Sequence, residues 1–226
     1  MQITEIYRSI QGESSFTGLP CIFVRLTACN LRCNWCDSEY TFSGGKKMEA
    51  EQVLAEVRRL VPVKLVEITG GEPMLQEREV VPLMQQLIAE QYTVLLETSG
   101  ERPLGRVPRE VVKIVDVKCP GSGEGGSFDL GNLAALELHD ELKFVVSDRQ
   151  DYEFGRDFIQ QHGLESRAAN LIFSPAFRKD ARGARDSSHC LVDPQTLADW
   201  MLADGLKARL GLQVHKFIWQ PETKGV

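Results

Sequence analysis

The sequence predicts an α/β protein, a partial, open βα barrel of about six parallel strands. Short apolar runs alternate with amphipathic stretches at intervals of roughly thirty residues, the spacing of βαβ units. The runs are apolar almost throughout, as in parallel strands covered on both faces. Several end in polar groups, where α/β folds place ligands. At 226 residues the chain falls short of the roughly 250 of a closed eight-fold barrel. One domain over 1–226 is expected, with a lateral mouth where strands are missing.

Taken in order, residues 3–10 read as a strand running into Gln11-Gly12-Glu13, a turn that gathers an amide, a flexible backbone and a carboxylate. The run 21–27 is a second strand, interrupted by Arg25. An arginine in a buried strand is costly unless paired. It is expected to face a polar cavity or to meet a partner such as Glu13. Planar anion recognition suits a guanidinium, so a substrate carboxylate is the preferred partner. A loop follows over about 28–45. Residues 49–60 form an amphipathic helix with Val53, Val57 and Leu60 on one face. Strand 64–69 leads into Gly70-Gly71-Glu72-Pro73, then a helix over 77–90 with Val80, Met84, Leu87 and Ile88 inward.

Strand 93–97 ends in Glu97-Thr98-Ser99-Gly100, and strand 111–117 ends in Asp116-Val117-Lys118. The glycine-rich stretch 119–131 lacks the G-K-[ST] of a phosphate loop and reads as a mobile loop near the site. Strand 142–146 carries Lys143, and a helix with Phe154, Phe158 and Ile159 follows. Strand 170–173 ends in Ser174-Pro175. Asp193-Pro194 opens a helix, with Asp as cap and Pro at the first position. Leu197, Trp200 and Met201 face inward there, and Gly205 closes it. Residues 212–219 read as strand-like, before the tail QPETKGV.

Hydrophobic content of 42% and charged content of 26% place the chain among ordinary globular proteins. A net charge of −6, from 26 basic and 32 acidic residues, argues against nucleic acid as partner. The basic run 178–185 reads as a solvated loop face. No eighteen-residue apolar run and no opening secretory segment are present, so no membrane partner is expected. Reduced thiols fit a cytoplasmic location.

The chemistry centres on Cys29, Cys33 and Cys36, spaced C-x3-C-x2-C. Three thiolates in one loop can hold three corners of a four-iron cluster and leave one iron open. A structural zinc needs four ligands, usually as two paired clusters. Cys21, Cys119 and Cys190 are isolated, although His189 beside Cys190 can in principle complete such a site. Asp37 and Ser38, directly after Cys36, offer either an Asx cap or oxygen donors for a hard cation such as Mg²⁺. In Thr69-Gly70-Gly71-Glu72-Pro73, two glycines at a strand end let backbone approach a ligand closely.

Trp35 just before the last cysteine, with the GGEP one βα unit on, resembles the signature of radical S-adenosylmethionine (SAM) enzymes. In that family the open iron binds the amino and carboxylate groups of SAM. An electron from the cluster then releases a 5′-deoxyadenosyl radical. The segments IYRSIQGES, CIFVRLTACNLRCNWCDSEY, TGGEP, ETSG, DVKCPGSG and HKFIWQPETKGV resemble, over nearly the whole chain, the 7-carboxy-7-deazaguanine synthases. The resemblance implies a radical SAM type barrel and a carbon–nitrogen lyase. Such an enzyme turns 6-carboxy-5,6,7,8-tetrahydropterin into 7-carboxy-7-deazaguanine with loss of ammonia, on the way to queuosine and other 7-deazapurines.

On this resemblance Cys29, Cys33 and Cys36 ligate a 4Fe-4S cluster and Ser38 gives its hydroxyl to Mg²⁺. Trp35, Cys36, Asp37, Gly71, Glu72, Asp116, Val117, Lys118, Ser174, Pro175, Ala176 and Phe177 lie against SAM. Ile10, Gln11, Gly12, Glu13, Arg25 and Thr69 meet the pterin. The tail 220–226 closes on the site, the carboxylate of Val226 reaching the substrate. A homodimer and a reductase or flavodoxin-type electron donor are implied as well. Two other readings share features of the sequence. One is a glycyl-radical activating enzyme acting on a protein partner; the other is a zinc-binding interaction module.

Overall fold

A computed structural model describes residues 1–166, 170–179, 185–220 and 223–225. The strands are β1 (Gln2–Ile10), β2 (Pro20–Leu26), β3 (Lys46–Lys47), β4 (Leu65–Gly70), β5 (Thr93–Thr98), β6 (Val112–Asp116), β7 (Glu141–Val146), β8 (Asn170–Pro175) and β9 (Arg209–Leu210). They form one open sheet in the order β3-β1-β2-β4-β5-β6-β7-β8-β9. From β2 to β8, six neighbours run parallel, as expected. β1 and β3 extend one edge antiparallel, and the short β9 extends the other in parallel.

The helices are α1 (Ala50–Arg59), α2 (Glu77–Ala89), α3 (Arg149–His162), α4 (Pro194–Asp204) and α5 (His215–Ile218). A capping box of Glu49 and Gln52 starts α1, satisfying amides that a helix end leaves orphaned. The side chain of Asp193 caps α4 as expected, accepting from the Thr196 amide.

Three expectations need correction. The alternation of strand and helix is incomplete, because the crossovers from β5 to β6 and from β6 to β7 carry no α-helix. The first holds Pro103, Gly105 and Pro108, and the second is glycine-rich, compositions that oppose helix. The second is also no featureless loop: it folds into short 3₁₀ turns at Pro120–Ser122 and Leu130–Ala134. Residues 212–219, expected as strand-like, turn into α5 instead. The Val214 amide bonds to the Gly12 carbonyl at 3.0 Å, so this segment docks on the β1–β2 loop rather than joining the sheet. Of the basic run 178–185, residues 180–184 lie outside the described residues; Lys179 pairs with Glu39.

Each parallel strand has two unlike faces, since side chains alternate along a strand. The outer face of the sheet packs against the helices through Ile22, Val24, Ile68, Val94, Leu96 and Val115. The inner face is apolar at its base, where Cys21, Phe23, Leu65, Leu95, Val112 and Ile114 form a second cluster. Nearer the strands' C-terminal ends the inner face becomes polar: Arg25, Glu67, Thr69, Glu97, Asp116 and Lys143 stand there. Among the described residues, no helix is long and apolar enough to cross a membrane.

Candidate active site

The polar half of the inner face walls a cavity of about 470 Å³. Its further walls come from Ile10, Gln11, Gly12 and Glu13 after β1, from the cysteine loop, and from Gln213, His215 and Lys216 around α5. Thr223, Lys224 and Gly225 of the tail also line it.

Lys143 organises the charges. Its side chain is 2% exposed, and its ammonium is bonded to Glu13 at 2.8 Å and to Glu97. Burial alone pulls a lysine pKa down, but these carboxylates outweigh it and hold Lys143 well above the ordinary value. Burial likewise pushes Glu13 up, yet Lys143, His215 and Lys216 together bring its carboxyl to about 2. Glu67, 1% exposed, behaves oppositely. Burial raises its carboxyl well above the usual range, and the charges of Glu97 and Glu13 add to that. Gln11 donates to Glu67 at 3.0 Å and Gln213 donates to Glu13 at 3.0 Å. The result is a row of fixed donors and acceptors along one wall, in which one carboxyl is pushed below the usual carboxylate range and its neighbour above it.

Arg25 is met by Glu5 at 3.0 Å and by the Tyr7 hydroxyl at 2.8 Å. Glu13 is therefore not its partner, because Lys143 claims that carboxylate. The alternation of the antiparallel pair explains the choice: Glu5 sits opposite Arg25 in the β1–β2 register. The guanidinium still lines the cavity, fixed in place rather than free.

Cys29, Cys33 and Cys36 all line the same cavity as free thiols. Burial raises all three, and each feels charge on a neighbouring cysteine of the set. Three free thiols on one cavity wall are a donor set that a positively charged iron–sulfur centre satisfies. Among the described residues no trio of His, Cys, Asp or Glu side chains is gathered around a point fit for a single metal ion. Gly71 packs against this loop so closely that an added Cβ would strike the Ala28 carbonyl and lie 2.7 Å from Cys29 Cβ. Glu72 holds the turn from beneath: its buried carboxylate accepts from the Met74 and Ser99 amides and from the Thr98 and Ser99 hydroxyls.

Most of the predicted site residues meet here. Trp35, Asp37, Ser38, Gly71, Asp116, Lys118 and Phe177 line the cavity beside the thiols, as do Ile10 to Glu13, Arg25 and Thr69. Glu72, Val117, Ser174, Pro175 and Ala176 do not line it. Val226 lies outside the described residues. Asp116 Oδ1 and Ser174 Oγ are buried without a hydrogen-bond partner among the described residues; of the two residues only Asp116 lines the cavity, where a bound polar ligand can relieve the deficit. Ser38 donates to Asp37 at 3.0 Å, and Asp37 is paired with Lys216 at 2.6 Å. Sequence reasoning assigned no role to Glu67, Glu97, Lys143, Gln213, His215 or Lys216. Glu67 in LVEIT and Lys143 in ELKFV carry the signal that singled out Arg25, a charge inside a buried strand. Lys216 and His215 gave no such signal, since their place depends on how the chain end docks.

The profile of the radical SAM superfamily matches residues 24–118, the stretch holding the cysteine loop and the GGEP turn. A "7-carboxy-7-deazaguanine synthase" of Koribacter versatilis is 73% identical over 226 residues, covering all of both chains. One of the same name from Chlorobaculum tepidum is 38% identical, covering 100% of this chain and 97% of the relative. In fold, the chain resembles the crystal structure of QueE from Escherichia coli with a TM-score of 0.72. That match has 24% sequence identity and covers 94% of this chain and 93% of the other.

Proposed function

Because the chain belongs to the 7-carboxy-7-deazaguanine synthase family, within the radical SAM superfamily, we propose that its inner-face cavity performs that family's reaction. The substrate is 6-carboxy-5,6,7,8-tetrahydropterin; ring contraction and loss of ammonia give 7-carboxy-7-deazaguanine. One observation carries the reading: the three thiols and the charged row on the inner strands open on a single cavity. When bound, the 4Fe-4S cluster and SAM supply the hydrogen-abstracting radical.

The chain's own residues hold and orient. Cys29, Cys33 and Cys36 would hold the cluster. Trp35, Asp37, Gly71, Asp116, Lys118 and Phe177 would hold SAM, with the orphaned Asp116 Oδ1 available to a donor on it, while Val117 packs in the outer core. Glu72 supports the turn rather than touching the cofactor with its side chain. Gln11, Glu13, Glu67 and Glu97 offer a fused, amide-bearing ring a set of fixed acceptors and donors, and Lys143 keeps Glu13 charged. Arg25, immobilised by Glu5 and Tyr7, answers the substrate carboxylate. Ser38 is the proposed Mg²⁺ ligand; an oxygen donor at the cavity wall beside a carboxylate supports it. The tail 220–226 is proposed to close over the pterin, since Thr223 to Gly225 already border the cavity. A single domain, a homodimer and a reductase or flavodoxin-type electron donor complete the proposal.

The test is anaerobic reconstitution followed by turnover with the carboxypterin. The expected result is a brown protein that yields 7-carboxy-7-deazaguanine and ammonia. Formation of 5′-deoxyadenosine with the pterin unchanged would overturn the substrate and leave the cluster. Replacing Arg25 by Ala is expected to cripple turnover while SAM binding persists; equal loss of both would make Arg25 a structural residue.

A further inference from the structure

Between Cys29 and Cys36 the cysteine loop has no helix or strand of its own to hold it. Among the described residues its middle is braced by the glycine-rich crossover between β6 and β7. The Asn34 amide donates to the Ser122 carbonyl at 2.9 Å. The Asn34 side chain donates to the Gly121 carbonyl at 2.9 Å, and the Arg32 amide to Glu124 Oε1 at 2.5 Å. The crossover in turn is tied down from behind by one side chain on α3. Asp151 is 1% exposed; its Oδ1 accepts from the Gly121 amide at 2.7 Å. Its Oδ2 accepts from the Ser147 amide at 2.9 Å and hydroxyl at 2.6 Å.

A buried carboxylate is costly unless paired or fully hydrogen-bonded. Among the described residues no ammonium or guanidinium reaches Asp151. Its charge is met by three donors and by its place in the first turn of α3. The fit is tight: a Cβ added at Gly121 would lie 2.5 Å from Asp151 Oδ2 and from Ser147 Oγ. Gly121 thus faces Asp151 with its amide and Asn34 with its carbonyl. One residue, through its two flanking peptide groups, relays the position of α3 to the residue between Cys33 and Trp35.

We propose that Asp151 is a positioning residue for the cluster loop, acting through Gly121 and Asn34 without touching cluster, SAM or substrate. The proposal rests on the cluster being held by the three cysteines. Removing either end of the relay frees the loop to open, so iron is lost faster and the cluster's environment changes.

The experiment compares reconstituted wild type with Asp151→Asn, Gly121→Ala, Asn34→Ala and the double variant Asp151→Asn/Asn34→Ala. Leu96→Ala, on the outer face of β5, serves as a control for general destabilisation. The readouts are the rate of iron loss to a chelator under anaerobic conditions and the spin-resonance spectrum of the reduced cluster with and without SAM. Each single relay variant is expected to lose iron about tenfold faster, the size of one hydrogen bond. The double variant should be no worse than the worse single, because both act through one path. Leu96→Ala should lose iron at the wild-type rate. A wild-type rate in the relay variants, equal acceleration in Leu96→Ala, or effects that multiply in the double variant would overturn the proposal. If Asp151→Asn does not fold, Gly121→Ala breaks the same contact from the loop side and decides. Wild-type protein that takes up no iron would instead overturn the cysteine assignment, so the two failures are distinct.

Discussion

The two faces of the same six strands obey opposite rules. On the outer face Val24, Ile68 and Leu96 meet helices and are fully buried. There each side chain contributes through area removed from water and dense packing. One position along, on the inner face, Glu67 and Lys143 are nearly as buried and Arg25 is largely so, yet all three are charged or titratable. The outer face stabilises the sheet. The inner face gives up stability, since desolvated charge is repaid only by well-placed partners. A fold that places both on one strand shows that burial alone does not separate core from site; what the buried atoms meet does.

The largest effect is expected at the mouth, where neither rule applies. Cys36→Ala should abolish cluster binding and turnover, measured as iron content, visible absorbance and product. Its unfolding free energy without iron should stay within about 0.5 kcal/mol of wild type, as for a half-buried loop position away from the core. A large loss of stability in the iron-free protein would mean that the loop belongs to the core. Next comes the inner face. Lys143→Met leaves Glu13 and Glu97 without their shared ammonium. A loss of about 3–5 kcal/mol is expected, read by urea denaturation, together with weakened pterin binding. Unchanged stability would mean that the carboxylates relax into solvent and that the row is not fixed.

The outer face should answer with stability alone. Leu96→Ala is expected to cost about 2–5 kcal/mol, with the KM for the pterin unchanged in the folded fraction. A shifted KM would show that the two faces are mechanically coupled through β5.

The same contrast explains what the sequence made legible. Strands β2 to β8 were readable because both faces are largely apolar, so 21–27, 64–69 and 93–97 stand out as runs. The cysteine loop and the GGEP turn were readable because their chemistry needs particular residue types at fixed spacing. The inner row was not. Glu67 and Lys143 are single charges in apolar runs, and only the sheet register brings them within reach of Glu13 and Glu97. His215 and Lys216 were hidden further, since 212–219 shows strand-like alternation but is captured by the Gly12 carbonyl as α5. Asp116-Val117-Lys118 divides for the same reason of alternation. Asp116 and Lys118 face the cavity, while Val117 packs in the outer core.

The finest test of the comparison is the pH dependence of stability, because two neighbours on the inner wall must act with opposite signs. Glu13 is held at about 2 when folded, below its unfolded value. Its contribution is present above about pH 4.5 and is lost as pH falls toward 2. Glu67 is raised when folded, by burial first and then by Glu97 and Glu13. Its contribution is complete below about pH 4.5 and declines as pH rises through the folded value, by at most about 1.4 kcal/mol per pH unit for one proton. Glu67→Gln copies the protonated form: its amide oxygen can accept from Gln11 and its NH2 can donate toward Glu97, with nothing left to titrate. The variant should match wild type near pH 4 and exceed it progressively toward pH 8, measured as urea midpoints at constant ionic strength. An outer-face substitution such as Leu96→Ala should shift the whole curve without changing its slope. A difference between Glu67→Gln and wild type that stays flat from pH 4 to 8 would mean that Glu67 is charged in the folded protein, and that the row on the inner wall holds two carboxylates of one kind.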